Sequence, residues 1–451
     1  MVRRLGIGRL RIPARLTQRW RAQLRAQRRW WRARRRGEGG EVLFPAAGQG
    51  MVAVHTLQGA PAAMPGMPRV AMLHATAGSG HRSAAQALAV AIAAECPGAA
   101  VREVDTLVFA SRLYRSTYAA SYNAMAARVP RLWGALYHSW ALAPVNRGTA
   151  PVRLTLDRLN LRRLVRVAER ESPDAIVCTH FLPVEVLSPR RGRGQLRVPL
   201  FCVITDFTAH PFWAFPHVDR YFVASGEVAD ELAGHGVPRG RIEVTGIPVD
   251  PRFACTIGRE AARARFGLDA ERPVVLVMGG GRGVGPLADM AERVSRLHAR
   301  PEVMVVCGAN EGLREKIASL PGARSQPPLI HALGFTREVD VLLEASDLLV
   351  GKAGGLTCSE ALIKGVPMVI FRPTPGQEVR NAGYLKKHGA ALHADSVDEV
   401  EAMVGLWLGD PEELRRRHEA ARAIARPQAA ETIARRVLEA IAAGQAWRVG
   451  S

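Results

Sequence analysis

The chain has 451 residues, of which 48% are hydrophobic and 23% charged, and this composition excludes disorder along its whole length. At about 150 residues per domain, the length predicts two or three domains. The six cysteines include no CxxC pair, which argues against a disulfide framework and a zinc ribbon and favours a reducing environment.

Positive charge is concentrated at the N-terminus. The net charge is +21, and residues 1–36 supply +14 of it because they hold 14 arginines and no acidic residue. We interpret residues 1–67 as a basic, disordered arm suited to an anionic lipid surface. The alternatives are binding to nucleic acid, a solvated tail, or translated sequence upstream of a true start at Met51, Met64 or Met67. No apolar stretch follows the arginines, so the arm is not a secretory signal.

No apolar run reaches the ~18–20 residues that a membrane-spanning helix needs. The longest uncharged candidate, residues 132–146, has fifteen residues and suits a core helix or an interfacial segment. The sequence therefore predicts a protein that lies on a bilayer without crossing it.

From Pro68 onward, short apolar runs alternate with longer helical patterns. The predicted strands of the first set are 69–75, 101–105, 174–179, 200–205, 220–224 and 242–244. The pattern restarts after Pro251, with strands predicted at 273–278, 302–307, 332–335, 347–351, 367–371 and 390–393. Continuous rather than alternating apolar runs are typical of parallel strands that are buried on both faces.

Helical patterns follow the strands closely, as in βα units. Examples are residues 83–95, 227–233, 356–364 and 378–387, with 411–424 and 429–443 at the end of the chain. We predict an α/β protein of two doubly wound, Rossmann-like domains facing a cleft. The first domain would span 68–250 and the second 251–425, and a final helix in 426–451 would pack back on the first domain. Glycine and prolines at 246–253 mark the joint.

Ligands of open parallel sheets bind beyond the carboxyl ends of the strands, so the loops there are the candidates for chemistry. The first such loop, residues 73–83, contains Gly80 and His81 and opens a helix. We place His81 in the loop, where its imidazole could accept a proton from a hydroxyl; a cap histidine is the alternative. The fingerprint G-x-G-x-x-G is absent because Ser83 stands at its last position.

Two later loops carry glycines after a strand. Residues 279–285 fit neither the dinucleotide fingerprint nor a P-loop, and we interpret them as a phosphate-facing or purely structural turn. In residues 351–360 a strand ends, glycines follow and a helix begins, so the amides of Gly354, Gly355, Leu356 and Thr357 suit an anion. Glu360, one turn on, could accept hydrogen bonds from a ribose diol or be an ordinary helix residue.

A fourth loop, residues 371–381, again follows a strand and opens a helix. It places Gln377 and Glu378 side by side at the mouth of the cleft. Adjacent polar side chains of this kind suit the recognition of hydroxyl groups, and ordinary helix-start residues are the alternative.

Together these motifs resemble one known family. They are the His81 loop, TDFTAHPFW at 205–213, KAGGLTCSE at 352–360 and PGQEVRN at 375–381. They are similar to monogalactosyldiacylglycerol synthases and processive diacylglycerol glucosyltransferases, which stand with the peptidoglycan GlcNAc transferase in glycosyltransferase family 28. The resemblance covers residues 68–425. One departure is Ser79, where relatives often have a run of glycines.

The resemblance implies a GT-B fold, in which the first domain (68–250) would bind the lipid acceptor and the second (251–425) the UDP-sugar. It also implies a role for each motif. Phe335 would lie against uracil, Glu360 would bind the ribose, and the backbone from Gly354 through Thr357 would hold the diphosphate. Gln377 and Glu378 would bind the sugar hydroxyls. His81 would be the general base, with Gly80, Asp206 and His210 on the acceptor side. No metal and no cofactor are implied, because amides and a helix terminus would stabilise the leaving UDP.

The function implied is inverting transfer of a hexose from UDP-galactose or UDP-glucose to diacylglycerol, giving a β-glycosyl glycolipid. The enzyme would be peripheral, at the cytoplasmic face of the cell membrane, with residues 1–36, 132–140 and 210–213 as membrane contacts. The alternatives are a UDP-GlcNAc transferase or a nucleotide-sugar 2-epimerase of the same fold. Charge alone would suggest a nucleic-acid-binding protein, but we expect no specific nucleic acid partner.

Overall fold

The computed structural model describes residues 42–46, 49–54, 66–76, 79–111, 114–115 and 154–449, with side chains from 66 to 444. The chain divides into two units, Met1–Pro61 and Ala62–Ser451. In the first unit, β1 (Val42–Ala46) and β2 (Gln49–Val54) pair antiparallel. The arginines of residues 1–36 and the apolar run at 132–146 lie outside the described residues.

The second unit contains two six-stranded sheets, and every strand pair in them is parallel. The strands of the first sheet are β3 (Arg69–His74), β4 (Ala100–Asp105), β5 (Ala175–Cys178), β6 (Leu200–Val203), β7 (Arg220–Val223) and β8 (Ile242–Val244). Their order across the sheet is β4-β3-β5-β6-β7-β8.

The strands of the second sheet are β9 (Val274–Met278), β10 (Glu302–Val306), β11 (Ile330–Leu333), β12 (Leu348–Gly351), β13 (Met368–Phe371) and β14 (Ala391–Ala394). Their order is β11-β10-β9-β12-β13-β14. Strand order reverses between β3 and β5 in one sheet and between β9 and β12 in the other, where doubly wound sheets bind ligands. The predicted fold class is confirmed.

Helices cover the faces of both sheets. Those of the first domain are α1 (Ser79–Glu95), α2 (Arg162–Glu171), α3 (Phe181–Gly192) and α4 (Gly226–Gly234), and residues 154–160 are also helical. Those that follow are α5 (Arg259–Arg265), α6 (Leu287–Ser295), α7 (Glu311–Ala318), α8 (Pro321–Arg324), α9 (Val339–Ala345), α10 (Gly355–Ile363), α11 (Gln377–Lys387), α12 (Val397–Gly409), α13 (Pro411–Ile424) and α14 (Ala429–Val449). Short 3₁₀ turns lie at Thr106–Phe109, Pro211–Trp213, Arg239–Arg241 and Pro251–Ala254.

Two predicted boundaries are wrong in ways that affect the site. The strand predicted at 332–335 is β11, Ile330–Leu333, because Gly334 ends it, so Phe335 lies beyond the strand. The helix predicted from residue 83 begins at Ser79, so His81 lies in its first turn and not in the loop. The Ser83 hydroxyl donates to the Ser79 carbonyl at 3.1 Å, which marks that earlier turn as helical.

The last helix belongs to the core of the first domain. One stripe of α14 is buried against the first sheet and α1, at the helical spacing that a packed face requires. Its residues are Ala430, Ile433, Ala434, Val437 and Ile441. The chain therefore passes between the domains twice, once near residue 246 and once near residue 426. The two connections are in contact, since a Cβ at Gly246 would overlap the Cβ of Arg426.

Candidate functional site

The first side of the cleft is built where strand order reverses between β3 and β5. His81, in the first turn of α1, is half-buried there. Its Nδ1 lies 2.8 Å from the carbonyl oxygen of Thr179, which directly follows β5. The Thr179 hydroxyl donates to the His81 carbonyl at 2.7 Å, so both ends of the histidine are held by one residue.

These contacts set the tautomer of His81. A carbonyl oxygen only accepts, so Nδ1 carries the proton and donates to Thr179, and Nε2 keeps its lone pair. The Thr205 hydroxyl, after β6, lies 2.9 Å from the same Nδ1. Burial lowers the pKa of His81 to about 4 against the raising effect of the Thr179 hydrogen bond, and His74 lowers it further. At neutral pH the imidazole is therefore neutral and able to accept a proton.

A second histidine stands beside His81. The ring of His180 meets that of His81 edge-on with centroids 4.6 Å apart. The Nδ1 of His180 accepts from the Leu182 amide at 3.1 Å, which caps α3. Burial, and then the charges of His81 and His74, hold the pKa of His180 well below its usual value. His180 is therefore a neutral ring that lines the site beside His81.

Asp206 lies at the contact between the two domains. Its carboxylate accepts from the Asn381 side-chain amide of α11 at 3.0 Å. The same Asn381 amide donates to the Ala353 carbonyl at 2.9 Å, and its oxygen accepts from the Phe207 amide at 2.8 Å. Burial raises the pKa of Asp206 to about 6, against the Asn381 hydrogen bond, with a smaller contribution from Glu378. The buried Asn381 thus joins the loop after β6 to the loop after β12.

His210 lies in the same loop but faces inward. It is buried, and its Nδ1 accepts from the Phe212 amide at 3.2 Å, capping the turn Pro211–Trp213. Trp213 is also buried, where its ring packs against Phe181 and His180. His210 and Trp213 are therefore not exposed for a membrane contact, and in the segment 210–213 predicted to make one only Pro211 and Phe212 are partly exposed.

The other side of the cleft is the start of α10. Gly354 is the N-cap and has no side-chain cap, and the first bond within the helix runs from the Cys358 amide to the Gly354 carbonyl at 2.9 Å. The preceding amides of Gly355, Leu356 and Thr357 consequently point out of the helix terminus. An anion placed there meets N–H donors and the positive end of the helix dipole.

The two sides are in direct contact. A Cβ at Gly355 would overlap the carbonyl oxygen of Thr205, so glycine is required for the domains to approach this closely. A Cβ at Gly80 would lie 3.5 Å from Leu356 Cδ2. The first turn of α1, which carries His81, therefore faces the first turn of α10 across the cleft.

Ion pairs between the domains surround this contact. Arg380 of α11 pairs with Glu231 of α4 at 2.7 Å, and Lys387 pairs with Glu227 at 2.9 Å. Glu231 also accepts from the Ala209 amide at 2.7 Å. Helix α11 is thus joined to the first domain along its length.

Glu360 lies one turn into α10, on the helix that carries the exposed amides. Burial raises its pKa to about 8, and the carboxylates of Asp250 and Asp340 add to the shift. No hydrogen bond to its carboxyl group occurs among the side chains that the structure describes. The group is therefore available to accept hydrogen bonds from a ligand.

The remaining predicted donor residues lie at two other loops. Gln377 and Glu378 begin α11, and Glu378 accepts from the Thr374 amide at 2.7 Å, which braces the loop. Phe335 follows β11 and is 58% exposed, as a ring that stacks on a base would be.

The second glycine loop is a structural turn. The Gly283 and Val284 amides donate to the Gly280 and Gly279 carbonyls, each at 3.0 Å. A Cβ at Gly283 would overlap the Cys307 carbonyl oxygen. The glycines here serve a tight turn packed on β10. Elsewhere in the described ranges, no three His, Cys, Asp or Glu side chains come together as metal ligands would.

Sequence reasoning missed Thr179 and His180, and it assigned no role to Thr205 or Asn381 within their motifs. The first three stand at the carboxyl ends of β5 and β6, and that position was the available signal. No local signal marks the role of Asn381, because its partners lie 28 to 175 residues away.

Two family models match the chain. "Monogalactosyldiacylglycerol (MGDG) synthase" matches residues 81–249 and "Glycosyltransferase family 28 C-terminal domain" matches 274–424. Curated relatives of the chain are named processive diacylglycerol beta-glucosyltransferase. That of Bacillus pumilus is 29% identical over 62% of this chain and 73% of its own length. The Bacillus thuringiensis protein is 31% identical (62% and 71%), and the Bacillus subtilis protein is 31% identical (57% and 67%).

Solved structures share the fold. MurG from Acinetobacter baumannii superposes with a TM-score of 0.53 at 15% identity, over 82% of this chain and 99% of that one. The S. aureus MnaA–UDP co-structure gives 0.53 at 12% identity, over 81% and 95%. UDP-GlcNAc 2-epimerase from Neisseria meningitidis, bound to UDP-GlcNAc, gives 0.52 at 12% identity, over 82% and 100%. The GT-B architecture is therefore confirmed.

Proposed function

The chain belongs to the family of monogalactosyldiacylglycerol synthases and processive diacylglycerol glucosyltransferases, and from this premise we propose that it is a glycosyltransferase that glycosylates diacylglycerol. More finely, we propose that it moves galactose or glucose from a UDP-sugar to the 3-hydroxyl with inversion. The observation that carries the proposal is the approach of the two helix starts, with His81 on one and free amides on the other.

The proposed reaction uses groups on both sides of the cleft. The acceptor hydroxyl gives its proton to His81 Nε2 as its oxygen bonds to the anomeric carbon. The bond from that carbon to the diphosphate breaks, and UDP leaves with the electron pair. The amides at the start of α10 stabilise the charge that develops on the diphosphate. An attack on the face opposite to the leaving group gives the β-glycoside.

Substrate recognition is assigned to the donor-side residues. The exposed ring of Phe335 suits uracil, and Glu360 suits the ribose hydroxyls, while Gln377 and Glu378 suit the hydroxyls of the sugar. We place Gly80, Asp206 and His210 on the acceptor side, with His210 shaping the loop from within. The mechanism needs no metal and no cofactor, because main-chain donors take the place of a cation.

We place the enzyme at the cytoplasmic face of the cell membrane, on an anionic lipid surface. Among the described residues, no helix is long and apolar enough to span a membrane.

A direct assay tests the function. The full chain is incubated with labelled UDP-galactose, UDP-glucose or UDP-GlcNAc and diacylglycerol vesicles in EDTA, and the lipid product is identified. We expect a β-hexosyl diacylglycerol from one of the first two donors and none from vesicles lacking diacylglycerol. Consumption of UDP-GlcNAc without acceptor, and no lipid product, would instead support the 2-epimerase alternative.

The raised pKa of Glu360 predicts that UDP affinity rises with pH. A ribose diol donates to the ionised carboxylate, so binding lowers a pKa of about 8 and releases a proton. Affinity should increase as pH rises from 6.5 to 8, by at most about tenfold per pH unit, and level off above that. Calorimetry over this range measures it. The variant Glu360→Gln should bind more weakly at pH 8.5 and lose the slope; an unchanged slope would contradict the assignment.

A further inference from the structure

Within the part of the chain that the structure describes, four arginines on the outside of the first domain have no ion-pair partner. They are Arg158, Arg162, Arg163 and Arg166, all exposed, and no carboxylate of the described chain pairs with them. Some exposed arginines elsewhere are paired, as Arg296 is with Glu292 at 2.5 Å, whereas others, such as Arg193 and Arg282, are not paired with any described residue. The positive charge on this face is therefore not neutralised locally.

The acidic residues on the same helices are engaged elsewhere. Asp157 is buried and accepts from the Tyr114 hydroxyl. Glu169 pairs with Arg190 at 3.5 Å, and Glu171 pairs with Arg102. None of these carboxylates is available to the four arginines.

Exposed apolar side chains accompany the arginines. Leu156 is 52% exposed and Leu159 48%, one turn apart on the helical residues 154–160. Val108, 45% exposed, lies in the turn Thr106–Phe109, which packs against α2. Large aliphatic side chains next to unpaired cations are typical of surfaces that lie in a membrane interface.

The surface lies at the edge of the sheet that carries the site. The turn Thr106–Phe109 directly follows β4, so it stands at the same carboxyl edge as His81. Helix α2 leads into the amino end of β5, so its first residues and those at 154–160 lie toward the carboxyl edge. The Ser111 hydroxyl donates to Asn160 at 2.8 Å, which joins these two segments.

We propose that Leu156, Leu159 and the arginines at 158, 162, 163 and 166 form a docking surface for an anionic lipid bilayer, next to the acceptor side of the cleft. The arginines attract the lipid headgroups and the leucines enter the interface. The proposal rests on the proposed function only in that the acceptor would lie in the same bilayer. It differs from the arm at residues 1–36, because it belongs to the folded first domain.

Vesicle sedimentation of the full chain without substrates tests the surface. The probes are phosphatidylcholine vesicles with and without 30% phosphatidylglycerol. Each cation near such a surface contributes about fivefold to partitioning. Changing the four arginines to glutamine should therefore weaken binding to the anionic vesicles by at least about tenfold. The second variant, Leu156→Ser with Leu159→Ser, should weaken it as well. Higher salt should lower binding of the unchanged chain more than that of the arginine variant.

The matched control also changes four arginines to glutamine, so its net charge falls by the same amount, but these arginines are paired with carboxylates. Its four positions, Arg296, Arg314, Arg415 and Arg416, are exposed and bonded to carboxylates. We expect this control to bind like the unchanged chain. Equal binding to the anionic vesicles by all variants would overturn the proposal. So would a four-arginine variant that binds the vesicles normally but has lost binding to an RNA oligonucleotide. Sugar transfer to a short-chain, water-soluble diacylglycerol should persist in the surface variants. If the unchanged chain showed no such transfer, this result would instead count against the proposed function.

Discussion

Replacing His81 with alanine is expected to lower kcat by about 10²–10⁴-fold, the usual contribution of a general base. The reason is geometric: Nδ1 donates to the Thr179 carbonyl at 2.8 Å, which leaves Nε2 as the proton acceptor. UDP affinity should stay within about twofold, because the amides that would hold the diphosphate belong to α10. Steady-state kinetics and calorimetry with UDP measure the two effects.

The control for this variant is His298→Ala, which removes an exposed histidine from the second domain. It should leave both kcat and UDP affinity unchanged. Near-normal turnover in His81→Ala would reject the base assignment. Loss of UDP binding together with turnover would show that His81 supports the fold of the cleft rather than the proton transfer.

Replacing Gly355 with alanine is expected to separate the two domains. The new Cβ would overlap the Thr205 carbonyl oxygen, and backbone on both sides leaves little room to relax. Overpacking of this kind costs about 1–3 kcal/mol. We expect a lower thermal midpoint, UDP affinity reduced by about tenfold or more, and loss of most transfer activity, because 1.4 kcal/mol corresponds to tenfold.

The neighbouring Gly354 provides the matched control. A Cβ at Gly354 would meet nothing within 4 Å, and its φ of −68° suits any residue. Gly354→Ala should therefore keep the thermal midpoint of the unchanged chain. If both alanine variants melt alike, the close approach of Gly355 to Thr205 does not hold the domains together.

The sequence was sufficient for the sheets because their strands are continuous apolar runs between glycines and prolines. It also placed the site at the strand ends, since doubly wound sheets bind ligands there. Local pattern could not give the tautomer of His81, because the carbonyl that sets it comes from a residue 98 positions away.

Two further features depend on tertiary contact. The requirement for glycine at 355 follows from the backbone of Thr205, which belongs to the other domain. In a chain with 62 Lys and Arg, the arginines of α2 do not stand out in the sequence. Only the structure shows that the acidic residues of this helix, Glu169 and Glu171, pair with arginines outside it. Charge pattern alone cannot tell a paired arginine from a free one.

The contact between Gly246 and Arg426 restricts how the protein can open. Two covalent connections that pass the same point allow the halves to swing about that point, but they resist sliding and wholesale separation. An opening motion that releases product would then be largest at the side of the cleft far from Gly246 and smallest near this pivot. A bulkier residue at position 246 should stiffen or displace this pivot and so change the rate at which the cleft opens.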